Sequence, residues 1–138
     1  MTEAKAIRVL IVDDEPLCVK RIVNLLRGRP EVELVGTAED GDEAVEAIAR
    51  DRPDLVFLDI QMPHRTGLDV VKAVAPEQMP VTIFVTAYDE FALRAFDAAA
   101  VDYLVKPFDN DRFEEAFRRA KRRLELEELE ARLGMARS

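Results

Sequence analysis

Five side chains suited to binding phosphate or a divalent metal stand where apolar segments of the chain end. They are Asp13, Asp14, Asp59, Thr86 and Lys106. A single carboxylate after a strand is often only the N-cap of the next helix. Three carboxylates brought together would repel one another by roughly 4 kcal/mol per pair at 4 Å and would need a cation. All-oxygen ligands of this kind favour Mg²⁺.

Asp59 is the candidate nucleophile among these groups. A carboxylate can attack phosphorus and form an aspartyl phosphate when a metal and a lysine neutralise the transferring oxygens. Three aspartates balance the charge of Mg²⁺ and Lys106, so the resting site would be ready for an anion. We therefore predict phosphoryl chemistry at Asp59, provided that the fold brings the five groups together.

The elements that must position these groups alternate along the chain. Apolar, β-branched runs predict strands, whereas apolar residues at helical spacing predict helices. Strands are predicted over 7–12, 32–35, 55–60, 81–86 and 102–105. Helices are predicted from Pro16 to about Gly28, then over 42–49, 67–74 and 91–98, and after Asp109.

This alternation predicts an α/β protein with a parallel sheet covered on both faces. Right-handed crossovers favour the flavodoxin-like doubly wound (βα)5 fold with strand order 2-1-3-4-5 and an extended last helix. Ligands of such sheets bind outside the carboxyl ends of the strands. The five polar groups follow four neighbouring strands of that order.

Composition excludes several other classes. The chain has 138 residues, about one domain, and its single cysteine and single histidine cannot form a Cys/His zinc cluster. Its net charge of -8 opposes nucleic-acid binding by this chain alone. Its apolar runs are too short for a membrane span and its N-terminus lacks the pattern of a secretory signal. We expect a cytoplasmic protein.

The combination of motifs resembles the receiver domain of two-component response regulators. The matching motifs are Asp13-Asp14, Leu58-Asp59-Ile60-Gln61-Met62-Pro63, Thr86-Ala87 and Lys106-Pro107-Phe108. The resemblance covers about residues 7–120, and we divide the chain into a receiver domain (1–124) and a C-terminal helical extension (125–138). The segments 86–92 and 101–108 look more narrowly like receivers of the LytTR class of transcription regulators.

The resemblance implies a role for each acidic residue. Asp59 would be the phosphoacceptor and Asp14 a direct Mg²⁺ ligand. Asp13 would act largely through metal-bound water, and the backbone carbonyl of Gln61 would complete the protein ligands. A sensor histidine kinase would supply the phosphoryl group.

The resemblance also implies a switch. Lys106 would pair with the phosphoryl group or with Asp59, and Thr86 would move to donate its hydroxyl to a phosphoryl oxygen. Ala87 is small and would leave the approach open. Tyr103 would turn into the space that Thr86 vacates.

Two residues depart from the pattern or modify it. His64 stands where many relatives have glycine, and it is either merely solvated or tunes the loop. Tyr88 occupies a position that the resemblance connects with water access, so we expect slow dephosphorylation. Cys18 is interpreted as a small buried apolar residue.

The last helix carries two apolar stripes. Phe113, Phe117, Ala120 and Leu124 share one face, and Leu126, Leu129 and Leu133 lie nearly opposite. The first stripe should pack on the sheet, whereas the second predicts a helix-pairing surface for a dimer or an interdomain linker. A homodimer through the face of helix four, strand five and helix five is the other possibility. Spacings such as Lys121/Glu125 and Glu128/Arg132 predict ion pairs on the helix surface.

Three functions compete for this sequence. The leading one is a signalling switch, the receiver part of a transcription regulator or a stand-alone receiver, whose catalysis is self-directed, so we do not expect an enzyme. A metal-dependent aspartyl phosphatase would want an acid two residues after the nucleophile, where Gln61 stands. An inert scaffold would leave the five polar groups to coincidence.

Overall fold

The computed structural model describes residues 6–88 and 100–134. Strands and helices alternate throughout these ranges. In chain order they are β1 (Ile7–Val12), α1 (Pro16–Leu26), β2 (Val32–Ala38), α2 (Gly41–Asp51), β3 (Leu55–Asp59), α3 (Gly67–Ala73), β4 (Val81–Thr86), β5 (Asp102–Val105) and α4 (Asn110–Arg132). A short 3-10 turn at Pro76–Gln78 precedes β4. The helix predicted over 91–98 lies outside the described residues.

The five strands form one parallel sheet in the order β2-β1-β3-β4-β5, which confirms the predicted topology. β2 extends to Ala38, three residues beyond the predicted end. The reason is tertiary: after a register shift opposite Leu10, residues 36–38 pair with the end of β1. Pairing with β1 therefore extends β2 through Gly36 and Thr37, although the sequence has no run of apolar residues there.

The sheet has a separate apolar core on each face. The first core layer lies between the sheet and helices α1 and α4, with Ile22, Phe57 and Phe113 fully buried. The Phe57 and Phe113 rings stack with centroids 5.5 Å apart. The second core layer, which includes Leu58, Ile48 and Val70, lies beneath helices α2 and α3. Burial on both faces explains the continuous apolar strands.

Helix α4 runs without interruption from Asn110 to Arg132, across the predicted boundary at residue 124. Its first apolar stripe enters the core as predicted, with Phe113 and Phe117 buried. The predicted pairing of Lys121 with Glu125 is wrong, because the Lys121 ammonium lies 3.3 Å from Glu31, in the turn directly before β2. Within 6–88 and 100–134, the structure holds no helix long and apolar enough to cross a membrane.

Candidate functional site

Three of the predicted site residues lie close together because their side chains point to the same face of the sheet. Asp13, Asp59 and Lys106 each stand two positions after a residue buried in the first core layer, and side chains two apart in a strand point to the same face. Those preceding residues are Ile11, Phe57 and Leu104. The two acids and the lysine therefore converge at the carboxyl ends of β1, β3 and β5, on the side of α1 and α4.

Lys106 is the positive centre of this cluster. Its Nζ lies 2.9 Å from Asp13 Oδ2 and 3.7 Å from Asp59 Oδ2. It also donates a hydrogen bond of 3.3 Å to Glu15 Oε1. Glu15 was not among the predicted site residues, because it lies beyond the strand end. Its own N–H donates to Asp13 Oδ1 at 2.9 Å, and this bond together with the Lys106 contact connects it to the cluster.

The electrostatics keep Lys106 charged. Burial disfavours its ammonium form, but the carboxylates of Asp13 and Asp59 outweigh burial and raise the pKa of Lys106. Burial and the Asp13 carboxylate also raise the pKa of the Cys18 thiol, which lies beside Asp13. Cys18 is therefore a buried neutral side chain, in agreement with its sequence interpretation.

Asp59 is a buried acid whose ionised form is destabilised. Its side chain is 5% exposed. Burial, followed by the charge of Asp13, raises the pKa of Asp59 to about 8, although Lys106 and the hydrogen bond from the Gln61 backbone work in the opposite direction. A divalent cation placed beside Asp59 would favour its ionised form.

The donor set fits Mg²⁺. Asp13, Asp14 and Asp59 each offer a carboxylate oxygen, and these oxygens all lie within 4.8 Å of one another. Asp14 is exposed, which leaves room for water ligands. Asp13 Oδ2 is buried and accepts no well-aligned hydrogen bond from the described residues, although Lys106 lies beside it as an ion pair. A buried carboxylate oxygen with spare acceptor capacity is suited to a hard cation.

The loop after β3 brings the main chain of Gln61 to the site. The Gln61 N–H donates to Asp59 Oδ1 at 3.1 Å, so its peptide lies against the candidate nucleophile. The loop then turns back, and the Gly67 N–H donates to the Ile60 carbonyl at 2.8 Å. A Cβ on Gly67 would lie 2.4 Å from the Asp59 carbonyl oxygen. Sequence reasoning missed Gly67, which must lack a side chain for α3 to begin against the end of β3.

His64 lies in the same loop with φ of 69°. This left-handed conformation is one that glycine adopts without strain. The His64 side chain is exposed, and a role in tuning the loop stays a prediction.

Thr86 and Tyr103 lie on the other face of the sheet. Thr86 is fully buried at the end of β4, and its Oγ1 accepts a hydrogen bond of 3.1 Å from the Tyr88 N–H. Tyr103 is half-buried on β5, pairs in register with Phe84, and packs on the second core layer. Thr86 and Phe84 are two positions apart, so the Thr86 and Tyr103 side chains share that face. Ala87 is exposed just beyond the strand.

A buried ion-pair cluster that the sequence analysis missed holds β5 against α4. The Asp102 carboxylate is fully buried and receives two hydrogen bonds from Arg112, at 2.7 and 3.1 Å. Arg119 adds a third at 3.2 Å. Burial would raise the pKa of Asp102, but the Arg112 guanidinium and the Tyr103 N–H outweigh it and lower that pKa.

Arg112 also holds Tyr103 directly. Its guanidinium donates to the Tyr103 carbonyl at 2.8 Å and lies 5.6 Å from the centre of the ring. The segment that carries Tyr103 is therefore anchored to α4 by both its main chain and its ring.

Comparison with known families and proteins identifies the class of this domain. Residues 9–118 match the response regulator receiver domain family. The chain belongs to this family, and the predicted fold and resemblance are confirmed.

Individual relatives agree with the family. The chain is 46% identical over 113 residues to the transcriptional regulatory protein BtsR of Salmonella typhi, covering 82% of this chain and 47% of that protein. It is 44% identical over 113 residues to BtsR of Escherichia coli (strain K12), with the same shares covered. The chain thus spans about half the length of these curated relatives.

Solved structures give the same result. The receiver domain of AraT, a response regulator from Geobacillus stearothermophilus, has a TM-score of 0.79 and 37% identity, and the match covers 88% of this chain and 97% of that one. The receiver domain of a Luxo repressor protein from Vibrio parahaemolyticus has the same TM-score with 27% identity, covering 90% and 96%.

Proposed function

We propose that this receiver domain accepts a phosphoryl group on Asp59 in a Mg²⁺-dependent reaction, with a histidine kinase as the physiological donor. The observation that carries the proposal is the carboxylate cluster of Asp13, Asp14 and Asp59 beside the Lys106 ammonium. The family supports the same function.

Each residue of the cluster has a chemical task in the transfer. A carboxylate oxygen of Asp59 would form the new O–P bond while the bond from phosphorus to the donor's nitrogen or oxygen breaks and its electron pair leaves with the donor. Lys106, already 3.7 Å from Asp59, would offset negative charge on the phosphoryl oxygens. Asp13, Asp14 and Asp59, with the Gln61 carbonyl, would hold Mg²⁺, which when bound supplies further charge neutralisation.

Phosphorylation would then change the conformations of Thr86 and Tyr103. A dianionic phosphoryl group offers a charge-assisted hydrogen bond to a hydroxyl that moves toward it. The Thr86 hydroxyl would leave its partner at Tyr88, and Tyr103 would turn into the vacated space. The phosphoryl group can bias this equilibrium only through its different interactions with the two states.

The direct test is the intact mass of the protein after incubation with acetyl phosphate and Mg²⁺. We expect one phosphoryl addition in the wild type and in Asp111→Asn, a control that removes an exposed aspartate from the first turn of α4. We expect none in Asp59→Asn or in the presence of a chelator. Equal phosphorylation of Asp59→Asn, or phosphorylation without a divalent metal, would refute the assignment.

Transcription control is the output that we propose for the whole protein. The relatives bear the name of transcriptional regulatory proteins. Membership of the LytTR class stays a prediction that rests on segments 86–92 and 101–108. The chain itself would act as a switch and not as an enzyme on external substrates, because Gln61 stands where an aspartyl phosphatase would want a second acid.

Tyr88 is proposed to lengthen the life of the phosphorylated state. Its side chain follows Thr86 by two residues and is 47% exposed, so the ring stands at the solvent edge of the site. We expect Tyr88→Ala to dephosphorylate faster than Tyr88→Phe, which keeps the ring. Equal half-lives of the two variants, followed by intact mass after donor removal, would contradict this role.

A further inference from the structure

The C-terminal part of α4 presents an apolar stripe that the described residues leave uncovered. Leu126, Leu129 and Leu133 are 49%, 46% and 66% exposed. They lie on the face opposite to Phe113 and Phe117, which are buried against the sheet. The last buried residue of α4 is Ala120, so a partner can cover this stripe beyond the part of the helix that packs on the sheet.

The spacing of the stripe is that of a short helix-pairing seam. Leu126 and Leu133 are seven residues apart, and Leu129 lies between them at the spacing of a d position after an a position. Arg122 is the preceding d position and is exposed, so its aliphatic stem can extend the apolar seam. The flanking g positions are then Glu125 and Arg132. The flanking e positions are Arg123 and Glu130.

The charges at these flanking positions distinguish the two possible orientations of a second copy. In a parallel pair, g positions meet e positions five residues further along, which places Glu125 against Glu130 and Arg118 against Arg123. Both contacts are repulsive, and each occurs twice by symmetry. A parallel pairing of this seam is therefore disfavoured.

In an antiparallel pair the same residues become complementary. When Leu126 of one copy meets Leu129 of the other, e positions meet e positions and g positions meet g positions. Arg123 then faces Glu130 of the second copy, and Glu125 faces its Arg132. The structure gives these four side chains no ion pair within 6–88 and 100–134, so all four are available.

We propose that α4 is a self-association surface on which a second copy of this chain binds antiparallel, with Leu126 against Leu129. The seam spans only about two heptads, so association is weak and falls with salt. The surface is independent of the phosphoryl chemistry at Asp59. Because the two helices run antiparallel, the two receiver domains lie at opposite ends of the seam.

Sedimentation equilibrium of the full chain at low salt, over micromolar to millimolar concentrations, tests the proposal. We expect a monomer–dimer equilibrium that Leu129→Glu abolishes, whereas Leu17→Glu, a control at a leucine that is 77% exposed on α1, leaves it unchanged. A monomer at every concentration would overturn the proposal. Loss of the dimer in Leu17→Glu alone would place the interface elsewhere and overturn it as well.

Single charge reversals test the orientation. Glu130→Arg and Arg123→Glu should each raise the dimer Kd roughly tenfold, because each converts two attractive contacts into repulsive ones, and the double variant should restore it. In a parallel pair, each single reversal would instead replace a repulsive contact with an attractive one and lower the Kd. Tighter dimers in the single variants would therefore refute the antiparallel arrangement. Circular dichroism checks that each variant keeps its helix content.

Discussion

Gly67→Ala is a small change with a large expected effect on phosphoryl transfer. The added Cβ would lie 2.4 Å from the Asp59 carbonyl oxygen and 3.1 Å from the Ile60 Cα, whereas real Cβ atoms essentially never approach closer than 3.0 Å. Both contacts involve main chain, so no side chain can rotate away. The end of β3 and the start of α3 must separate by at least about 0.6 Å, and overpacking of this kind costs roughly 1–3 kcal/mol.

That displacement acts directly on the nucleophile. Asp59 must hold its carboxylate within a narrow range of positions relative to the metal ligands and to Lys106, and a misplacement near 1 Å lowers transfer rates by up to about 100-fold. We therefore expect Gly67→Ala to lower the rate of phosphorylation by acetyl phosphate by about 10- to 100-fold, and to lower the free energy of urea unfolding. Rates are followed by intact mass at saturating Mg²⁺.

Gly36→Ala is the matched control. A Cβ at Gly36 would meet its nearest atoms at 3.9 Å, an ordinary contact. The control should phosphorylate at the wild-type rate and unfold with equal or higher free energy. A Gly67→Ala protein that matches the control in both measurements would refute the argument that the missing side chain positions Asp59.

Three further predictions concern stability and are measured by urea unfolding. Burial and the Asp13 charge raise the pKa of Asp59 from 3.8 to about 8, so without metal the folded state keeps a proton that the unfolded chain has lost. The free energy of unfolding should fall as pH rises from about 4 to about 8, and Asp59→Asn should flatten that fall; an unchanged pH slope would contradict the assignment. Arg112→Ala removes two of the hydrogen bonds to the buried Asp102 carboxylate and should cost about 2–4 kcal/mol, with Arg112→Lys recovering less than half; a cost below about 1 kcal/mol would show that water replaces the guanidinium. Arg52→Gly should stabilise by about 0.5–1 kcal/mol, because Arg52 ends α2 with φ of 46°, while Arg50→Gly within the helix should cost about 1 kcal/mol; destabilisation by both would refute the strain argument.

The sequence predicted the convergence of the acids and Lys106 because that convergence depends on properties that strands impose. Strand ends are visible as abrupt changes from apolar to polar residues, and a parallel sheet brings those ends to one edge. The pleat then sets which side chains share a face. Asp13, Asp59 and Lys106 follow from these rules without knowledge of any side-chain rotamer.

The missed residues depend on contacts that no local pattern encodes. Glu15 joins the cluster through its N–H, which donates to Asp13, and through the extended side chain of Lys106. Gly67 matters only because the loop after β3 folds back on Asp59. Lys121 pairs with Glu31 and not with a helical neighbour because the turn between α1 and β2 lies beside α4, where Arg29 also contacts Glu114 and Phe117. Arg112 resembles an ordinary surface arginine of a charged helix, and only the buried Asp102 across the β5–α4 junction gives it a role.

The groups that take part in the proposed switch lie on opposite faces of the sheet. The carboxylate cluster lies on the side of α1 and α4, whereas Thr86 and Tyr103 lie on the side of α2 and α3. The packed sheet separates the two faces. A phosphoryl group on Asp59 can therefore contact Thr86 only at the strand ends, where the strands continue into loops. Thr86 occupies such an end, and its hydroxyl is held there by the Tyr88 N–H. The hydroxyl donates its proton to the Tyr88 carbonyl at 3.5 Å. Exchanging that donated neutral hydrogen bond, worth about 1 kcal/mol, for one to a charged oxygen, worth about 1.5–3 kcal/mol, favours the move by a margin of only about 0.5–2 kcal/mol. A bias of that size shifts populations without locking them, so the phosphorylated receiver should still sample its resting conformation.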